Sequence, residues 1–275
     1  MEIRSEHVSY SYPDGTKALE DVSFSIETGE LVALMGQNGA GKTTLVRHFI
    51  GLYLPTRGDV WIGSWNTHSK PVAFLARHTG YAYQNPDDQL FCKTIWEEVS
   101  FGPKNLKKSA NELKKLVEEA IFLTGLQGKE GNNPFDLSWD LRRRVAVASI
   151  LAMDTDVVIL DEPTAGQDLD GIHIMKGIIR HCHETGKTVV VISHDIDFCA
   201  DNFDRALILK DGELVFDGKM TDLFFENELL DRNGLHLPVM QQLGNAMNFE
   251  KPIRGDEDFL EAIKQERQRL KEGKL

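Results

Sequence analysis

The chain has 275 residues, 41% of them hydrophobic, which suffices for one sizeable core or a core with a small subdomain. Thirty-one basic against 43 acidic side chains leave a formal charge of −12, which argues against a nucleic-acid-binding surface. Cys92, Cys182 and Cys199 show neither metal spacing nor a disulfide pattern, and the apolar runs are far shorter than the roughly 18–20 residues that span a bilayer, so a soluble chain in a reducing cytosol is expected.

The N-terminus shows no basic region followed by an apolar run, and no signal peptide is expected. Ile3 and Val8, then Val22, Phe24 and Ile26, follow a period of two, predicting half-buried antiparallel strands joined by a turn at Pro13-Asp14-Gly15. Leu31–Met35 is a short apolar strand that enters a glycine-rich loop, and a helix follows from near Lys42. Val60–Ile62 reads as another short strand.

The loop reads Gly36-Gln37-Asn38-Gly39-Ala40-Gly41-Lys42-Thr43, a GxxxxGKT pattern with a strand before it and a helix after it. Glycines let such a loop wrap tightly and aim successive N–H groups at phosphate oxygens, and the helix N-terminus adds partial positive charge. Lys42 offers a cation for β- and γ-phosphates, and the Thr43 hydroxyl a ligand for Mg²⁺.

From about Thr94 to Ala152 helical spacing replaces strand spacing, as in Leu113, Leu116, Val117, Ala120 and Ile121, which predicts a helical insertion. Strands return at Val157–Leu160 and Val189–Ile192, with a helix over 171–183 between them, implying a parallel sheet with crossover helices. Asp161-Glu162 lies at the carboxyl end of the first of these strands, where ligands collect in such sheets. Asp161 is a candidate Mg²⁺ holder and Glu162 a candidate base for the attacking water, although paired acids there also suit a helix N-cap. His194 follows the second strand and could reach a γ-phosphate, or could be structural. Leu207–Lys210 and Glu213–Phe216, joined by Asp211-Gly212, read as a hairpin. The stretch after Met220 is polar and mostly helical, with Phe259, Ile263 and Leu270 as a sparse stripe, either a solvated helix or a dimer contact.

The order Tyr12, P-loop, Gln84, Leu137-Ser138, Asp161-Glu162, Asp168, His194 resembles an ABC transporter ATPase subunit over residues 1–220. SYPDGTKALEDVSF, YQNPDDQLF, FGPKNL and DEPTAGQD resemble the energy-coupling factor (ECF) type, which serves vitamin and cobalt or nickel uptake. The resemblance implies an α/β fold: a P-loop NTPase (RecA-like) core, an N-terminal antiparallel β subdomain and a helical insertion at about 94–152, with 221–275 as a C-terminal extension. It implies ATP and Mg²⁺ as ligands, hydrolysis coupled to transport, and Tyr12 stacking on adenine, unless that ring belongs to the core. Thr44 would touch the α-phosphate, Gln84 would contact Mg²⁺ and the attacking water, and Asp168 would lie in a loop crossing a dimer interface. Implied partners are a second ABC ATPase subunit, an integral membrane coupling subunit and a substrate-binding membrane subunit, with the chain peripheral on the cytoplasmic face of the membrane.

One segment departs from the family. Where the signature reads LSGGQ followed by basic residues, this chain reads Leu137-Ser138-Trp139-Asp140-Leu141-Arg142-Arg143-Arg144. In the family this segment closes on the γ-phosphate held by the other subunit, and glycine lets the backbone come near. Asp140 would set a negative charge against phosphate, a repulsion of about 3 kcal/mol at about 5 Å and an effective dielectric near 20. The helical phase of Arg142 to Arg144 points them elsewhere. Either the chain is an ATPase that borrows a normal signature from a different partner, or it is a non-hydrolytic ATP-binding regulatory subunit. A third possibility is that Trp139 and Asp140 turn aside and Ser138 still works. Asp87 and Asp88, with Phe91 and Trp96, predict a half-apolar acidic patch suited to a basic helix of the membrane subunit, or an ordinary solvated turn.

Overall fold

The computed structural model describes residues 1–249 and 251–271. Two sheets and a helical unit make up the body. The first sheet is antiparallel, in the order β2-β1-β4-β5, from β1 (Ile3–Ser11), β2 (Lys17–Ile26), β4 (Arg57–Ile62) and β5 (Trp65–Asn66). The second runs β10-β9-β3-β8-β7-β6, from β3 (Leu31–Met35), β6 (Thr79–Ala82), β7 (Val157–Asp161), β8 (Thr188–Ile192), β9 (Arg205–Lys210) and β10 (Glu213–Lys219). Its strands pair in parallel except for the β9–β10 hairpin.

Strand parity explains the uninterrupted apolar runs in β3, β7 and β8. Val32, Leu34, Val157, Ile159, Val190 and Ile192 pack toward the antiparallel sheet and α1 (Lys42–Phe49). Ala33, Val158, Leu160, Val189 and Val191 pack on the opposite face, against α6 (Leu169–Glu184) and α7 (Ile196–Asn202). A strand buried on both sides has no solvent face and so no alternation. Met220, Leu223, Phe224, Leu230 and Leu235 join the same second core, so the chain through α8 (Met220–Leu223) and α9 (Asn227–Arg232) packs on this sheet.

The insertion is α3 (Ile95–Asn105), α4 (Ala110–Leu123) and α5 (Trp139–Leu151), around a third core that includes Ile95, Val99, Val117, Ile121 and Val145. Thr94 and Ser109 cap α3 and α4 by accepting the N–H groups of Glu97 and Glu112. Hydrophobic periodicity does not mark β5, β6 or the single-turn α2 (Val72–Leu75). In β6 the reason is Gly80: a Cβ there would lie 2.3 Å from Ile150 Cγ2, so glycine is what lets α5 lie close over the sheet, and it weakens the strand pattern. Beyond α9 lie α10 (Val239–Ala246) and α11 (Asp256–Lys271). Phe259 is half-buried and Ile263 exposed, and the Leu270 side chain lies outside the described residues. Among the described residues no helix is long and apolar enough to cross a membrane.

Candidate functional site

The loop from β3 to α1 is built on three left-handed glycines, Gly36 (φ 137°), Gly39 (φ 83°) and Gly41 (φ 100°). Two of them are also held by close backbone approach. A Cβ on Gly36 would sit 2.1 Å from the Leu209 carbonyl oxygen, and one on Gly41 would sit 2.5 Å from that of Ala18. At Gly39 a Cβ would meet nothing within 4 Å, so this stretch of loop borders open space. Lys42 is buried and folds back, donating to the carbonyls of Gly36 at 2.7 Å and Gln37 at 2.8 Å. Burial pulls its pKa below the ordinary lysine value, and the nearby Glu162 and Asp161 carboxylates oppose that pull.

Strand parity delivers the acids. Asp161 continues the Val157–Ile159 face, toward α1, and its Oδ2 accepts the Thr43 hydroxyl at 3.0 Å and the Tyr81 hydroxyl at 2.8 Å. Burial raises the Asp161 pKa, while those two hydroxyls hold it down. Glu162 takes φ 52°, the left-handed region, at a cost of order 1–3 kcal/mol for a non-glycine residue. It is buried; its Oε1 lies 2.9 Å from His194 Nδ1, and its Oε2 has no hydrogen-bond partner among the described residues. A buried carboxylate oxygen left unpaired is costly unless a ligand or water meets it.

These residues converge on a cleft of about 440 Å³, within the range of small-molecule sites, lined by Tyr12, Asn38, Gly39, Ala40, Gly41, Lys42, Thr43, Thr44, Gln84, Asp161 and Glu162, and also by Thr16, Lys17, Ala18 and Ile192. Gly36 and Gln37 shape the loop from behind, and the Gln37 side chain packs near Gly234. His194 reaches the cleft through Glu162. Tyr12 shares a 2.6 Å hydrogen bond with the Thr44 hydroxyl and meets Tyr10 and Tyr53 edge-on. The hydroxyl of Thr43 and the carboxylate of Asp161 are hard oxygen donors, the set that suits Mg²⁺.

Two residues that sequence reasoning missed belong to this site. Tyr81 comes from the weakly marked β6, on the same sheet face as Asp161. Arg143 donates to the carbonyls of Asp161, at 3.1 Å, of Glu162 and of Gln84. Its neighbours diverge as helical phase predicts: Arg142 binds both oxygens of Asp87, and Arg144 reaches Gln167 and Asp168. The Asp87 pairing corrects the expectation of a doubly acidic patch, because half of that charge already has an internal partner. Phe91 does lie open, 58% exposed, edge-on to Phe101. In the altered signature segment, Ser138 caps α5 by position, with no side-chain hydrogen bond to the helix. Trp139 turns inward, over the Arg143 guanidinium and against Gly166.

Residues 19–165 match the ABC transporter family. The chain is 37% identical over 253 residues to an energy-coupling factor transporter ATP-binding protein, EcfA, of Methanocaldococcus jannaschii, covering 91% of each chain. It resembles the structure of cbiO1 from Clostridium perfringens, described as part of the ABC transporter complex cbiONQ, with a TM-score of 0.74, 34% identity and 90% and 98% of the two chains covered. It also resembles a dimeric post-hydrolysis state of the ATP-binding cassette MJ0796 bound to ADP and Pi, with a TM-score of 0.72, 30% identity and 79% and 98% coverage. Some curated relatives are longer: the chain spans 42%, 43% and 40% of three of them, and 99% of a fourth. The P-loop, the strand-end acids and these similarities agree that the chain belongs to the ABC transporter family, among its ATP-binding proteins.

Proposed function

We propose that the chain binds Mg-ATP in this cleft and hydrolyses it as half of an ATP-sandwich dimer that powers ECF-type uptake of a metal ion or vitamin. The observation that carries hydrolysis is the Glu162 carboxylate: buried, oriented by His194, with one oxygen unpaired among the described residues, in a cleft that also holds Lys42. The amides of Gly36 to Thr43 would hold the phosphates, and Lys42 would leave the Gly36 and Gln37 carbonyls for the β- and γ-phosphates. Thr43, Asp161 and Gln84 would hold Mg²⁺, which supplies charge neutralisation at the phosphates. Thr44 would meet the α-phosphate, Tyr12 would stack on adenine, and Glu162 would take a proton from the attacking water. The names of the M. jannaschii and C. perfringens relatives support the ECF type, with an integral membrane coupling subunit and a substrate-binding membrane subunit as partners and the chain peripheral on the cytoplasmic face.

The partner in the dimer is a different ABC ATPase subunit with a glycine-bearing signature. Trp139 and Asp140 replace the glycines whose N–H groups would approach the opposite γ-phosphate, whereas Lys42, Asp161, Glu162 and His194 are intact. Leu169, next to Asp168, is 75% exposed, which suits a face covered in such a dimer. A second reading, a homodimer with a working Ser138, is favoured by the inward turn of Trp139 and by a Ser138 hydroxyl that makes no cap hydrogen bond to α5. ATP turnover by the purified chain separates the two. Slow hydrolysis that rises on adding a partner cassette carrying LSGGQ supports the heterodimer; brisk cooperative hydrolysis by the chain alone overturns it.

A further inference from the structure

Trp139 and Arg143 lie four residues apart on α5, hence on one face of the helix. The Arg143 guanidinium carbon is 4.4 Å from the centroid of the Trp139 ring. The same ring fills the space that a Cβ on Gly166 would need, with its nearest atom 2.6 Å from such an atom. Three side-chain hydrogen bonds bind the same loop to the same helix: Gln167 donates to the Asp140 carbonyl at 3.1 Å, and Arg144 donates to Gln167 at 3.2 Å and to Asp168 at 3.5 Å. The first turn of the altered signature segment and the loop before α6 are thus one packed unit.

Arg143 connects this unit to the hydrolytic residues. It is 2% exposed, and its hydrogen-bond acceptors among the described residues are main-chain carbonyls: those of Asp161 and Glu162 at the end of β7 and that of Gln84 after β6. A buried guanidinium is a poor choice for filling space, since an apolar side chain of similar volume avoids its desolvation. Its rigid fork, however, can hold carbonyls from two strands at once, which an ammonium on a flexible stem does less well. The backbone it grips is the strained one. Glu162 stays at φ 52° with its N–H donating to the Ile192 carbonyl at 2.9 Å and its own carbonyl accepting from Arg143.

We propose that Trp139 and Arg143 form a tether through which the signature segment positions Glu162 and Gln84 of its own cassette, so that closure of this segment on the other subunit's nucleotide is felt at this chain's own site. The tether rests on the reading of the cleft as an ATPase site. Both are positioning residues, acting through the backbone of residues that face the cleft. It also gives the tryptophan a use: its ring covers the guanidinium and is the part of the signature that would move on closure.

The test uses the full chain, alone and mixed with a partner cassette, with MgATP turnover read as kcat and KM. Arg143→Met should lower kcat about 10–100-fold, as loss of supporting contacts around a site does, with KM changed less than threefold. Arg143→Lys, which keeps the charge and loses the fork, should recover part of the loss. Trp139→Ala should lower kcat, and Trp139→Phe, which keeps an aromatic face, should lower it less. The double variant Trp139→Ala, Arg143→Met should be no slower than Arg143→Met alone, because one tether is broken once. A spectroscopic readout accompanies these. The emission difference between the chain and Trp139→Phe isolates Trp139 from the other three tryptophans, and it should change when MgATP binds. Unchanged kcat in Arg143→Met, additive losses in the double variant, or a Trp139 signal blind to bound MgATP would each overturn the tether. If Arg143→Met does not fold, the Trp139 pair and the emission signal decide. Glu162→Gln is the control: turnover near the unmodified level there removes Glu162 as the base, and with it the reading of the site on which the tether rests, whereas turnover lost there but kept in Arg143→Met defeats the tether alone.

Discussion

Tyr81 and Asp161 are joined by a buried hydrogen bond, with the phenol donating to Oδ2 at 2.8 Å. The same oxygen accepts the Thr43 hydroxyl at 3.0 Å, so Tyr81 fixes the rotation of the carboxylate and leaves Oδ1 free of that pair. Burial and the Asp161 charge push the Tyr81 pKa upward, so the phenol stays protonated and remains a donor. Tyr81→Phe removes the donor without opening a cavity. Partners that orient a metal ligand are typically worth about 10–100-fold in metal affinity or activity. We expect the Mg²⁺ concentration for half-maximal ATP turnover to rise within that range, with nucleotide affinity in the absence of metal little changed. An unaltered Mg²⁺ dependence would show that Asp161 needs no such support.

Lys42→Ala and Glu162→Gln separate binding from chemistry. Lys42→Ala removes the cation from the loop and should abolish ATP binding or turnover while the chain melts cooperatively. Glu162→Gln keeps the shape and the His194 contact but cannot accept a proton, so ATP binding should persist while hydrolysis falls about 10²–10⁴-fold. Equilibrium nucleotide binding and single-turnover hydrolysis distinguish the two. Turnover near the unmodified level in Glu162→Gln would place the base elsewhere.

The patch around Asp88 and Phe91 offers a test of coupling. Asp87 binds Arg142 on α5, so its reversal disturbs the signature helix as well as the surface. Asp88 is exposed and so is Phe91, three residues further along, which makes Asp88→Lys with Phe91→Ser the cleaner change. In the native complex it should weaken retention of the membrane subunit on affinity purification, because a basic helix would lose both its charge partner and its apolar contact. Full retention and normal uptake would exclude this patch as the docking site.

His48 predicts an acid sensitivity. Its ring is fully buried against Tyr10, its Nδ1 lies 2.8 Å from the Thr44 carbonyl, and burial lowers its pKa to about 4. The folded pKa lies below the unfolded one, so the unfolded chain binds more protons between them, and stability falls as pH drops from about 6.5 to about 4. The full shift corresponds to about 3 kcal/mol. Above about 6.5 the ring is neutral in both states and contributes no pH dependence. Chemical denaturation at several pH values should show this slope in the unmodified chain and a shallower one in His48→Gln; identical slopes would assign the acid loss to other groups.

Features that depend on near neighbours in the chain are legible from the residues alone. The P-loop conformation follows from eight consecutive residues whose glycines permit positive φ, and the apolar runs of β3, β7 and β8 mark strands buried on both faces. The ABC resemblance rested on such local motifs in a fixed order, and the family match agrees with it. Contacts between residues distant in the chain emerge only when the sheets assemble. Thr43 and Asp161 meet across 118 positions, Tyr81 and Asp161 across 80, and Glu162 and His194 across 32. Sheet order sets these meetings, and no local spacing encodes it. Gly80 hid the strand that carries Tyr81, because the feature that lets α5 approach the sheet is the one that weakens a strand pattern. The direction of Trp139 was likewise undecided by its letter. A tryptophan at a helix start can face outward or inward, and the buried Arg143 and the bare Gly166 backbone give its ring the inward surface on which it packs.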